Sequence, residues 1–425
     1  MARTGKASLM VIFVTVFIDL LGFGIIMPLL PRYGKHFIVD DASGFKLGLL
    51  MASFSAMQFL FAPIWGRVSD RVGRRPILML GLAGSTISYA LFGLATGWDP
   101  DTVVLGLSPL AWLFATRIGA GIAGATIPTA QAYIADVTDI KNRGKGMAMI
   151  GAAFGIGFTF GPLIGAFSVG DNPEAPPSSM PGYVASAMSG LALLFAFFKL
   201  PESLNPDSNA VHRGWLNVSA LIPAITRPSI GPILLTIFLS TVAFAQLEST
   251  LALLTEHFGL SQQDNFYVFA YIGVLLMLSQ GLLIRRLLPR VGEKRMAIAG
   301  VFMMVAGLLA IGWIAEGGTL TQMYLILPLS VIGFSALNPS IQSLLSLRSA
   351  ESDQGGILGI GQSMSSIARI LGPIIGIVLF ESEVTFPYWC SAGIMFLAGL
   401  LVLFIKPARS EDVGTPEPVE PVEAT

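Results

Sequence analysis

Four ionisable side chains lie well inside long apolar runs: Asp19 in "FIDLLGFG", Arg117 in "ATRIGAG", Glu248 in "AQLESTL" and Arg369 in "SIARILGP". A charge at the centre of a bilayer costs roughly 2.5 to 3.5 kcal/mol on insertion scales, so each needs a reason to persist. Two acids and two bases can compensate one another. Asp19 can carry a proton or hold a cation, or it can be a structural acceptor for a neighbouring helix. Arg117 keeps its charge, so it acts by changing partners or by touching a ligand, and a structural ion pair is the plainer alternative. Glu248 reads equally as a second proton carrier or as a solvated acid near a mouth. Arg369, three residues before Gly372 and Pro373, can bind an anionic or zwitterionic group, or pair with Glu248 or Asp19. Gln58, Gln131, Tyr133, Gln246, Asn338, Gln342 and Gln362 add uncharged polar groups able to hydrogen-bond a small molecule, with Phe244 and Tyr271 as apolar surfaces.

These residues need elements that hold them in an apolar medium, and the composition supplies them. The 425 residues are 53% hydrophobic and 12% charged, with a mean hydropathy of +0.73, against roughly 45 to 50% apolar and 25% charged in globular domains. This is a membrane protein. Runs of about 20 apolar residues cross the hydrocarbon core as helices, and twelve are expected, at 8–31, 45–65, 76–97, 105–135, 143–169, 182–200, 230–257, 265–288, 295–315, 319–347, 355–381 and 385–405. The first run continues to Leu30 without a small-residue cleavage site, so it reads as a span and not as a removable signal. The single cysteine, Cys390, excludes an intramolecular disulfide and a cysteine metal cluster, and His36, His212 and His257 are scattered near span edges. No GxxxxGK[ST] loop implies ATP hydrolysis. An enzyme is therefore not expected, nor a metal or a cofactor, and energy would come from an ion gradient.

Most of the 25 Lys and Arg fall in alternate loops, while Arg32, Lys35 and Lys46 fall on the other side and Arg117 and Arg369 lie within spans. The positive-inside bias then places both termini in the cytoplasm of a multi-pass inner-membrane protein. The proline-rich segment 201–229 is read as a cytoplasmic linker between six-span bundles at 1–200 and 230–406, and the Pro/Glu-rich 407–425 as a disordered tail. The halves repeat each other: "RVGRR" (71–75) meets "RVGEK" (290–294) at an offset of 219, "KHF" (35–37) meets "EHF" (256–258) at 221, and Pro128, Gln131, Gly161, Pro162 and Gly165 meet Pro339, Gln342, Gly372, Pro373 and Gly376 at 211. The expected fold is an all-α membrane protein of 12 transmembrane helices in two pseudo-symmetric six-helix halves. Such duplications place a binding site between the halves at mid-membrane, and rocking of the halves gives alternating access. The expected partners are a small-molecule substrate, protons and the bilayer; nucleic acid is not, and the chain is expected to act as a monomer.

Two local patterns remain. Gly157, Gly161 and Gly165 recur every fourth residue beside Pro162, a smooth stripe for close helix packing with a bend. In "WGRVSDRVGRRPIL" (65–78) the bases fit positive-inside anchoring, which leaves Gly66, Asp70 and Gly73 unexplained. Gly66 permits close packing, Gly73 a tight turn, and Asp70 suits the positive N-terminus of the eleventh span, near Asp353 to Gly356.

"GRVSDRVGRRPIL" resembles the loop between the second and third helices of the major facilitator superfamily, "ATRIGAGIAGA" (115–125) its fourth-helix motif with an intramembrane arginine, and "GIGFTFGPLIGAF" (155–167) the fifth-helix Gly-Pro signature of its antiporters. "FIDLLGFGIIMPLLP", "MQFLFAPIWGRVSDRVGRRPILMLGLAGS" and "AYIADVTD" are most similar to bacterial tetracycline and multidrug:H+ antiporters, densely in the first half and more loosely through "RILGPIIG" in the second. The resemblance implies a proton-driven exporter of a small organic or drug-like solute. It gives Arg117 the task of controlling the protonation of Asp19, lets Arg71 or Arg74 pair with Asp136 in a gate with Gly66, Asp70 and Gly73, and makes the Gly157–Gly161–Pro162–Gly165 seam a barrier to leak. Proton-coupled uptake and a non-transporting sensor are the alternatives. One departure matters: tetracycline pumps carry acids in helices 3 and 9, whereas here the helix 3 position is Ser88 and 295–315 holds no acid. Tetracycline export is therefore expected to be weak.

Overall fold

The computed structural model describes residues 2–38, 44–138, 140–204, 226–349 and 354–405. Among these, twelve helices are long and apolar enough to cross a membrane, at the places expected. In chain order the helices are α1 (Ala2–Ile26), α2 (Leu30–Phe37), α3 (Phe45–Val72), α4 (Arg74–Thr96), α5 (Pro109–Gly124), α6 (Ile127–Val137), α7 (Ile140–Ala166), α8 (Met180–Lys199), α9 (Gly231–His257), α10 (Gln262–Leu278), α11 (Arg285–Val291), α12 (Glu293–Ile314), α13 (Leu320–Leu347), α14 (Gln354–Ser382) and α15 (Phe386–Phe404). Most of the linker and all of the tail at 407–425 lie outside the described residues.

The boundaries differ from the apolar runs where backbone chemistry intervenes. The first run is two helices, because Pro28 and Pro31 interrupt amide donation between α1 and α2. The run 105–135 is also two: α5 ends at Gly124, and α6 restarts with Pro128 in its first turn, where a missing N–H costs nothing. The second span continues past 65 through its charged residues to Val72. The eighth begins at Gln262, set by a capping box in which Ser261 and Asp264 satisfy each other's backbone, and contains a π-helical turn, Ser279–Ile284, before α11.

The duplication is exact enough to be seen atom by atom. Gly73 (φ +112°) ends α3, donating its N–H to Ser69 O, and Gly292 (φ +84°) ends α11, donating to Leu288 O, so both glycines of the repeated "RVG" occupy backbone that disfavours a side chain. In the first half α1 packs on α7 and α8, and α4 on α5 and α8; in the second α9 packs on α14 and α15, and α12 on α13 and α15. The halves meet through α3 on α14 and α7 on α10.

The apolar core shows at which end they meet. One continuous cluster joins Ile25, Leu29 and Tyr33 of the first half to Leu251, Phe266 and Phe380 of the second. At the other end, the end of the α3–α4 turn and most of the basic residues, the cores are separate: Ile12, Leu78 and Ile134 in one half, Ile284, Met296 and Ala336 in the other. We call these the far end and the basic end.

Candidate functional site

The far end is closed by bonds between halves. Arg32 Nη2 donates to Leu260 O at 2.7 Å, Tyr33 Oη to Gln262 Oε1 at 3.1 Å, and Asn265 Nδ2 to Pro28 O at 2.8 Å. Lys35 and Glu381 form an ion pair at 3.2 Å. Backbone approaches backbone here: a Cβ on Gly48 of α3 would sit 2.7 Å from Ile374 Cα, and one on Gly273 of α10 2.6 Å from Thr159 Cα. Towards the basic end the same helices part. A Cβ on Gly66 of α3, on Gly151 or Gly155 of α7, or on Gly356 or Gly359 of α14 would meet nothing within 4 Å. The two halves thus enclose a gap open at the basic end.

Asp19 stands in the first half beside this gap. Ser189 Oγ of α8 donates to Asp19 Oδ1 at 2.9 Å, and Ser85 of α4 makes a second side-chain hydrogen bond. Asp19 also lines a small crevice with Thr15, Thr126 and Ala130. Tyr89 of α4, buried at 4% exposure, lies within electrostatic reach of both Asp19 and Arg117. Arg117 is 4% exposed, stacks its guanidinium 4.6 Å above the Phe54 ring, and leaves Nε and Nη1 without a hydrogen-bond partner. The acid and the arginine thus both act on Tyr89, with no ion pair between them.

In the second half, Glu248 of α9 and Arg369 of α14 lie within electrostatic reach of each other, which brings together a pair considered from the sequence. Gly359, Gln362, Ser366 and Arg369 follow the three-and-four spacing of one helix face, whose continuation at Gly372 and Gly376 packs on α9. On that face Gln362 and Arg369 are exposed. Asn338 and Gln342 are partly exposed one turn apart on α13, and Gln131 is exposed on α6. Three other candidates are spent on packing. Gln58 Nε2 donates to Gly124 O at 3.2 Å, holding α3 to α5. Gln246 is fully buried, accepts from Ser391 Oγ at 2.9 Å and packs on Gly376. Tyr133 is fully buried among Ile12, Leu78 and Ile134, so it is a core residue and not the ligand contact expected.

The charged turn is a network within the first half. Arg74, buried at 7% exposure, pairs with Asp70 and places Nε 3.2 Å from Asp136 Oδ2. Of the two arginines considered for Asp136, the structure selects Arg74; Arg71 is exposed. Of the helix N-terminus expected to face Asp70, near Asp353 to Gly356, Asp353 lies outside the described residues, and Asp70 is here engaged by Arg74. Glu202, from the linker, accepts from the backbone N–H groups of Arg74 at 2.8 Å and Arg75 at 3.1 Å, capping the positive N-terminus of α4. A Cβ on Gly73 would sit 2.5 Å from Glu202 Oε2.

The glycine stripe of α7 lies against α1. A Cβ on Gly161 would sit 2.8 Å from Gly24 Cα, one on Gly157 2.9 Å from Leu20 Cβ, and one on Gly165 would overlap the Phe266 ring of the other half. The repeat reproduces the first contact: Gly372 packs on Ala245, the residues that match Gly161 and Gly24 at offsets of 211 and 221.

The family model described as Major Facilitator Superfamily matches residues 12–371 and 281–424. The chain belongs to this superfamily. It is 30% identical over 413 residues, 95% of this chain and 96% of the other, to the class E tetracycline resistance protein of Escherichia coli. It is 28% identical over 415 residues to multidrug resistance protein 2 of Bacillus subtilis strain 168, covering 96% and 97% of the two chains. The crystal structure of the human organic anion transporter MFSD10 superposes with a TM-score of 0.68 at 27% identity, over 94% of this chain and 99% of that one. The protein is a multi-pass secondary transporter of small molecules.

Two residues of this superfamily member carry geometry that sequence reasoning passed over. Tyr89 was one aromatic among many in "STISYALFG"; only packing puts it within electrostatic reach of both Asp19 and Arg117. Glu202 sits in "LPESLNP", which reads as linker, although an acid within reach of "GRRP" at a helix start was a usable sign.

Proposed function

We propose that the protein exports a small organic or drug-like solute in exchange for protons by alternating access, with the basic end in the cytoplasm, both termini inside, and the chain working as a monomer in the inner, plasma membrane. The halves 1–200 and 230–406 rock about the gap. The observation that carries this reading is Asp19: an acid within a span, held by serines of two other helices beside a gap closed at one end. It exchanges its proton with the side to which the gap opens. Glu248 is the second acid of the pathway and Arg117 the fixed charge near the first. Arg369, Gln362, Gln131, Asn338 and Gln342 contact substrate. Asp70, Arg71, Arg74 and Asp136 with Gly66 and Gly73 form the inner latch, and Gly157, Gly161, Pro162 and Gly165 form the seam that prevents leak. The similarity to a tetracycline resistance and a multidrug resistance protein supports export. The test is flux in proteoliposomes: a proton gradient of the right sign drives accumulation of substrate, and substrate added without a gradient moves protons. A sensor on this scaffold moves neither.

A further inference from the structure

Among the described residues, Arg117 is the charged side chain with the most buried nitrogens left without a partner. At 4% exposure its Nε and Nη1 have no partner, and the face of Phe54 lies 4.6 Å from the guanidinium. A buried guanidinium normally takes several acceptors, because burial removes its water and nothing else replaces it. Asp19 does not serve: it accepts from Ser189 at 2.9 Å and from Ser85, and forms no ion pair with Arg117. Asp19, Tyr89 and Arg117 all belong to the same half, so rocking the halves does not bring Asp19 to Arg117. The other cation on the pathway, Arg369, has Glu248 within electrostatic reach; Arg117 has no such compensation.

The surroundings of Arg117 are aromatic. The Phe54 ring lies 5.0 Å from that of Phe23, and Phe23 lies 5.7 Å from Phe158. Phe158 is also where the gap ends, since its carbonyl lies 2.6 Å from a Cβ placed on Gly273 of the other half. An unsatisfied planar donor joined by this run of aromatic rings to the end of the gap matches the shape and charge of an aromatic carboxylate or sulfonate. The negative group would take the N–H groups in charge-assisted bonds and the ring would lie on the phenylalanines.

We propose that Arg117 and Phe54 form an anion seat, and that the substrates of this transporter include amphipathic aromatic anions. The assignment rests on the reading of the gap as the substrate path. The test is equilibrium binding of 2-naphthoate, its neutral amide and 2-naphthylmethylammonium to the purified full-length protein in nanodiscs, without any gradient. The expected result is carboxylate binding about tenfold or more tighter than the amide, a preference lost in Arg117→Gln and reduced in Arg117→Lys, which keeps the charge but not the fork. Thermal melting of both variants establishes that they are folded. No carboxylate binding, equal binding of acid and amide, or a preference for the ammonium in the wild type overturns the proposal whatever the variants do, and so does an intact preference in folded Arg117→Gln. Because no gradient is used, the two readings separate: carboxylate preference without proton-driven flux leaves the seat standing and removes the export mechanism, and coupled flux without that preference does the reverse.

Discussion

Ser189 Oγ donates to Asp19 Oδ1 at 2.9 Å across the α1–α8 contact. Both helices belong to the same half, so the bond is independent of which end of the bundle is shut. In the proposed exchange Asp19 is thereby held at one position while the gap opens first to one side and then to the other. This is the arrangement a proton carrier needs: a fixed acid whose access, not its location, changes.

The far-end closure depends on Gln262, which accepts from Tyr33 and donates to Ala175 O at 3.0 Å. Removing such buried bonds costs about 1 to 3 kcal/mol. Gln262→Ala therefore shifts the population towards the state open at the far end by roughly 5- to 150-fold. Distance distributions between spin labels on opposite halves at that end report it; an unchanged distribution shows that Gln262 does not hold the closure.

At the basic end, Arg74 is shared by Asp70 and Asp136. Asp70→Asn removes one charge of this latch and leaves the gap walls untouched. It slows transport several-fold without changing the order of preference among substrates. A changed order in a competition assay would place Asp70 on the substrate path.

The α1–α7 seam has no room for a side chain. Gly161→Val forces Gly24 away from a site that a Cβ would approach to 2.8 Å, and overpacking of this kind costs about 1 to 3 kcal/mol. Gly151, on the same helix, faces open space, so Gly151→Ala leaves the melting temperature unchanged or raised. Melting of the two variants in detergent gives the comparison, and equal losses would contradict the packing.

Ser88 is buried at 6% exposure, with its Oγ 2.8 Å from a Cβ placed on Gly119. It is a packing residue between α4 and α5 and offers no negative charge to a metal-bound drug. A pump-deleted host expressing the protein shows little or no gain in tetracycline tolerance; a gain comparable to that from a tetracycline pump refutes this.

The spans, their number and the duplication were legible because apolar length, loop charge and self-similarity are local properties of the chain. The breaks at Pro28 and before Pro128 were marked by residues lacking an N–H, yet the apolar runs continued across them. Gln58, Gln246 and Tyr133 show the limit. A polar side chain inside a span can satisfy a neighbouring helix or face a cavity, and only packing decides: Gln58 bonds Gly124, Gln246 bonds Ser391, and Tyr133 is enclosed. Asp70 shows another: its partner, Arg74, lies in its own half, not across the gap.

The most direct test of proton exchange at Asp19 is flux in proteoliposomes containing wild-type protein or Asp19→Asn, with an imposed pH gradient and with substrate gradients alone. Gradient-driven accumulation is lost in Asp19→Asn, while substrate binding and the melting temperature stay near wild type. Undiminished gradient-driven accumulation in the variant would contradict the assignment of Asp19 as the proton carrier.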